Sequence, residues 1–76
     1  MKELVEVIAK SLVDDPSAVV VEEKEKDGEL HLELRVAKED MGKVIGKQGR
    51  AAKAIRAIVK AAAMREDKKV TVDIVE

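Results

Sequence analysis

No cysteine, phenylalanine, tyrosine or tryptophan occurs in the 76 residues, and there is one proline and one histidine. Without cysteine there is no disulfide framework and no thiolate metal site, and a lone histidine cannot complete a structural zinc site, so no metal is expected and a reducing, cytoplasmic setting is. Without aromatics, the base-stacking platforms that many single-strand nucleic-acid binders rely on are excluded. Long apolar runs are missing too. Charge begins at Lys2 and Glu3, and no stretch approaches a bilayer span or a signal-peptide core, so the chain is expected to be soluble, unprocessed and free of membrane partners. At this length residues 1–76 make a single domain, close to the lower limit for folding on one core.

Catalytic chemistry finds no foothold. Ser11, Ser17 and Thr71 stand apart from one another, and His31 alternates with leucines on a strand pattern, which places it toward solvent in a plain polar role. No catalytic residue, cofactor or small-molecule substrate is expected, and the chain is read as a non-enzyme.

The charge is unevenly placed. Net charge is -1 overall, yet between residues 37 and 60 seven basic residues (Lys38, Lys43, Lys47, Arg50, Lys53, Arg56, Lys60) face only Glu39 and Asp40, giving +5 there and -6 in the remainder. An acidic body keeps nonspecific phosphate adhesion low while a basic segment steers an anionic ligand to one face.

Hydrophobic periodicity outlines the elements. Leu4, Val5, Ile8, Leu12 and Val13 recur at helical spacing over residues 2–13, and Asp15-Pro16 ends that helix. Val19-Val20-Val21 and the alternating Leu30, Leu32, Leu34 and Val36 predict two strands joined by an Asp27-Gly28 hairpin turn. Residues 39–45 form a short helix stopped by Gly46, Arg50–Met64 an alanine-rich helix, and Val70, Val72 and Ile74 a closing strand. The expected fold is α+β, in the order α-β-β-α-α-β, with three helices on one face of a small mixed sheet.

The most informative stretch is Val44-Ile45-Gly46-Lys47-Gln48-Gly49-Arg50. Two glycines bracketing two polar residues allow positive φ and a close approach of backbone amides to phosphate, and the helix opening after Gly49 adds its partial positive charge. A Walker phosphate loop would need glycine where Met41 stands and a hydroxyl where Gln48 stands, and a dinucleotide-binding loop would need G-x-G; neither pattern is present.

A helix, G-x-x-G and a second helix between strands resembles a KH domain, and the residues flanking the turn match its signature, with Ile55 and Ile58 following. The helix and strand that precede the minimal unit resemble the type II topology. The resemblance implies single-stranded RNA as partner, about four nucleotides held with their backbone against Gly46 and Gly49 and their bases on aliphatic side chains. Lys43, Lys47, Gln48 and Arg50 are the leading RNA contacts, Lys53 follows, and Val44, Ile45 and Ala52 form the groove floor. Ala52 stands where the family often carries a large aliphatic residue, which makes that floor shallower. Arg56 and Lys60, farther along the helix, are read as solvated.

Residues 50–64 carry more apolar surface than one core needs. Ala51, Ile55, Ile58 and Ala62 form one stripe, expected to face the core. Ala54, Ala57, Ala61 and Met64, with Ile58 at the border, form a second, expected to meet a copy of itself in a homodimer. The KH resemblance also implies a larger KH-containing partner. Two weak clamps joined in this way gain effective concentration and suit an RNA chaperone or post-transcriptional regulator. The rival expectation is an assembly subunit whose main work is protein–protein interaction.

Overall fold

The computed structural model describes residues 1–75. Helix α1 (Lys2–Leu12) leads through a 3-10 turn at Pro16–Ala18 into β1 (Val20–Lys26) and β2 (Glu29–Arg35). A second 3-10 turn, Lys38–Asp40, opens α2 (Met41–Ile45); a third, Lys47–Gly49, separates α2 from α3 (Arg50–Arg65), and β3 (Lys69–Val75) closes the fold. Element order and mixed sheet are those the periodicity predicts.

The sheet runs β1-β2-β3. β1 and β2 pair antiparallel with Lys26 opposite Glu29. Their turn residues Asp27 and Gly28 have φ of 53° and 79°, the pair of left-handed conformations whose twist suits a two-residue hairpin. β3 lies parallel to β2, with Leu30, Leu32 and Leu34 beside Val70, Val72 and Ile74. A parallel pair needs a long crossover, and α2 and α3 supply it.

Because side chains alternate along a strand, those leucines and their β3 neighbours share the face that the three helices cover, while His31 and Glu33 share the opposite face with Thr71 and Asp73. His31 sits half-buried there, its Nδ1 2.7 Å from Thr71 Oγ1. The centre of the core is aliphatic: Val5, Leu32, Leu34, Val44, Ile55 and Val59 are fully buried, each contributing roughly 1.5–3 kcal/mol relative to exposure.

Two helix faces are turned from their expected setting. In α1 the fully buried residues are Val5 and Ala9, whereas Leu12 is 38% exposed at the helix end. In α3 the buried stripe is Ala52, Ile55, Val59 and Ala63, about one position on from the expected Ala51, Ile55, Ile58 and Ala62. Ile58 is 47% exposed. Alanine has little preference for core or solvent, so a helix this rich in it lacks the contrast that would fix its rotation from spacing alone.

Candidate nucleic-acid interface

The backbone between α2 and α3 is built by two glycines with different duties. Gly46 has φ 77° and ψ 172°, and a Cβ placed on it would lie 2.8 Å from both the Cβ and the backbone nitrogen of Ala51. No other residue fits without moving the first turn of α3. Gly49 has φ 73° and ψ 14°, with open space where a side chain would go, so it is needed for conformation alone. Between them Gln48 also takes the left-handed conformation, φ 57° and ψ 27°. The turn is tied by Gly49 N–H to Gly46 C=O at 3.1 Å, and α2 is closed by Gly46 N–H to Gly42 C=O at 2.8 Å.

This geometry lifts Lys47 and Gln48 clear of the body, both exposed, with Arg50 and Lys53 exposed beside them. No side chain caps the start of α3; the Arg50 N–H donates to the Lys47 carbonyl, and the positive end of the helix lies next to the basic side chains. Ile45 stands 38% exposed at the end of α2. The other two expected floor residues turn inward. Val44 is fully buried and Ala52 is 5% exposed, both packed in the core. One step of 100° separates Val44 from Ile45, and the five-residue α2 can show only one of them to solvent while packing the other against α3. Of the three residues expected to form an aliphatic floor, Ile45 is the one at the surface.

Lys43, placed by the sequence among the leading contacts, is engaged within the fold. Its Nζ pairs with the carboxylate of Asp14 and lies 3.4 Å from Asp40 Oδ1. Asp40 is the buried charged residue of the core, 2% exposed, and its two oxygens accept the backbone N–H groups of Asp14 at 3.3 Å and Asp15 at 3.1 Å. Burial pushes the Asp40 carboxyl up, but the amides of Asp15 and Asp14 together with Lys43 outweigh it and hold its pKa below the usual value. The Asp14 hydrogen bond, against some desolvation and helped by Asp40, raises the pKa of Lys43. This cluster fastens the chain leaving α1 to the start of α2. Sequence reasoning passed over it, although an acid just ahead of a short helix and three residues before a lysine was a signal for it.

Arg56, read as solvated, is exposed and also makes a bond within the fold. Its Nε donates to the carbonyl of Val72 at 3.2 Å, so the side chain lies across the free edge of β3. Lys60 follows one turn later, and with Arg56 and residues 70–73 it lines a groove of about 340 Å³ between α3 and β3. The stripe Ala54, Ala57, Ile58, Ala61 and Met64 is exposed along its length, Met64 at 71%. Beside it Ile58 and Ala61 join Met1 and Leu4 around a groove of about 490 Å³.

The order α-β-β-α-α-β, the parallel return of β3 and the G-x-x-G turn between two helices together define a KH domain of the type II topology. A family model described as the KhpA/KhpB KH domain matches residues 2–74, and the chain belongs to that family. It is 65% identical over 75 residues to the RNA-binding protein KhpA of Clostridium perfringens, covering 99% of this chain and 100% of the relative. It is 54% identical over 76 residues to KhpA of Halalkalibacterium halodurans, covering both chains in full. Against KhpA of Chlamydia trachomatis identity is 45% over 76 residues, with 100% of this chain and 97% of the relative covered. Among solved structures, Era from Aquifex aeolicus matches with a TM-score of 0.65 at 21% identity, over 96% of this chain and 28% of Era. Era in complex with MgGDPNP and nucleotides 1506–1542 of 16S ribosomal RNA matches with a TM-score of 0.59 at 22% identity, over the same shares. At these identities the likeness is one of fold.

Proposed function

We propose that this chain binds single-stranded RNA by its Gly46–Gly49 turn, acting as an RNA chaperone or post-transcriptional regulator in the cytoplasm rather than as an enzyme. The observation that carries this reading is the turn itself: Gly46 is held against Ala51 with no room for a side chain, and the left-handed pair Gln48-Gly49 aims Lys47 and Gln48 outward. Phosphate meets the turn and the first amides of α3, Lys47 and Arg50 supply charge-assisted contacts, Lys53 follows, and Ile45 offers a base its aliphatic surface. Lys43 holds the local fold, its charge met by Asp14 and Asp40. Full-length relatives that carry RNA-binding names support RNA over a purely architectural role.

We also propose that the exposed stripe of α3 joins two copies, and that the same face receives a larger KH-containing partner. A bare four-nucleotide clamp without stacking is weak, and pairing doubles it.

The test is a double charge reversal. Lys47→Asp with Gln48→Asp is expected to reduce affinity for a short single-stranded RNA at least tenfold and to flatten its salt dependence, with folding intact because both side chains are exposed. Unchanged affinity and slope in fluorescence anisotropy would remove the turn from the binding site.

A further inference from the structure

We propose that Asp14, in the segment leaving α1, sets the RNA affinity of the turn by withholding Lys43 from the strand. The inference rests on the RNA-binding reading above and adds a residue outside the motif that limits how tightly the turn holds.

The position of Lys43 is the first ground. It stands three residues before Gly46, about 4.5 Å of helix rise, and residues three apart on a helix are surface neighbours. Gly42 beside it and Gly46 one turn on carry no side chain; Gly42 is exposed, and a Cβ added to it would meet nothing within 4 Å. The surface between the root of Lys43 and the turn is thus bare, and a flexible four-carbon stem bearing a point charge can cross it. A phosphate seated at Gly46 is one helical turn from that root.

The second ground is the asymmetry of the two acids that hold the lysine. Asp40 is buried, and its oxygens accept the backbone N–H groups of Asp14 and Asp15, so it stays satisfied when Lys43 leaves; the lysine lies 3.4 Å from it. Asp14 is the opposite case. Its side chain is 83% exposed, and among the described residues its carboxylate has no partner besides Lys43, which is itself 42% exposed. Asp14 is therefore the acid whose hold depends on Lys43 and can be removed without opening the fold.

The third ground is charge. Lys43, Asp14 and Asp40 together carry -1, so this corner offers an approaching phosphate no attraction although it contains a lysine. A strand that took Lys43 would also leave the Asp14 carboxylate facing its own phosphate. The lysine stays with the acids, and the turn holds RNA by Lys47, Arg50 and Lys53. One charge-assisted contact fewer means faster release, which a chaperone needs in order to let a strand go.

The experiment measures affinity for a five-nucleotide oligouridine by fluorescence anisotropy across a salt series. Asp14→Asn is expected to tighten binding roughly three- to fivefold and to steepen the salt slope by about 0.7, the increment for one more phosphate on a single strand. Asp14→Glu keeps the charge and should bind as wild type does. Asp15→Asn removes the same charge from the exposed neighbour, whose carboxylate accepts the Ser17 hydroxyl, and should change affinity less than about twofold. Adding Lys43→Gln to Asp14→Asn, or Lys43→Met to keep more of the apolar stem, should abolish the gain; both Asp40 oxygens keep their backbone donors there, and circular dichroism checks the fold. No gain in Asp14→Asn, an equal gain in Asp14→Glu or Asp15→Asn, or a gain that survives the loss of Lys43 would overturn the assignment. Failure of the turn reading is separate: wild type then does not bind the oligouridine, or the Lys47 and Gln48 reversal does not release it.

Discussion

Gly46 and Gly49 look interchangeable in the motif and are not. Alanine at Gly49 meets open space, so its cost is the left-handed backbone alone, about 1–2 kcal/mol. Alanine at Gly46 would have to adopt φ 77° and ψ 172°, a region essentially confined to glycine, and would also drive its methyl against Ala51, so Gly46→Ala is expected to cost at least twice as much in urea denaturation and to displace the start of α3. Equal costs would show that the backbone at Gly46 and its contact with Ala51 both relax freely. Asp40 and Lys43 set a second residue-scale expectation. The folded pKa of Asp40 is lowered, so its contribution to stability is complete above the ordinary value of 3.8 and is lost as pH falls through the folded value beneath that. Lys43 is raised, so its contribution is complete below 10.5 and is lost as pH climbs through its folded value above that. The stability gap between wild type and Asp40→Asn should therefore be flat between those limits and narrow in acid, as followed by the urea midpoint against pH. These roles were hard to read in advance: the glycines announced a turn, but only the packed position of Ala51 separates the two, and the Asp40 link joins residues 25 and 26 apart.

Among the elements, α3 carries the most conflicting demands. One face builds the core, one carries the basic row, and one is left bare. The period of the helix was plain from its sequence, whereas its rotation was not, because five of the eight residues assigned to the two expected stripes are alanines and only side-chain volume against the sheet decides which enter. Ile55 and Ile58 test the observed setting. Ile55→Ala should cost roughly 2–5 kcal/mol by opening a cavity, and Ile58→Ala less than about 1 kcal/mol in the monomer. A reversal of that order in thermal or chemical unfolding would mean that the helix is turned the other way. The strands, by contrast, were legible nearly throughout. Leu30, Leu32 and Leu34 alternate with polar residues without interruption, and a one-residue slip would bury His31, Glu33 and Arg35 together. What strand patterning could not reveal was the cover on the β3 edge, since Arg56 reaches Val72 from a different element. A free edge is a template for pairing with other chains, and a guanidinium laid on its carbonyl discourages that contact.

For the whole molecule, the bare face of α3 is the question of assembly. Placing a charge in its middle with Ala57→Asp should leave the fold intact, since the position is exposed, and convert a dimer to a monomer in sedimentation velocity; an unchanged sedimentation coefficient would remove this face as the interface. The chain also shows how a domain without a single aromatic residue still closes a core: the six largest fully buried side chains among the described residues are all aliphatic and meet between one sheet and three helices, which composition suggested and alternation located. Finally, the parallel return of β3 has a consequence in time. The β1–β2 hairpin joins residues close in sequence, while β2 pairs with β3 across 40 residues, and long loops close after short ones. The glycine turn lies inside that loop. The turn's own bonds are local, Gly46 N–H to Gly42 C=O and Gly49 N–H to Gly46 C=O, so it does not need that closure, whereas α3, the helix it opens, gains its packing against β3 only when the last strand docks.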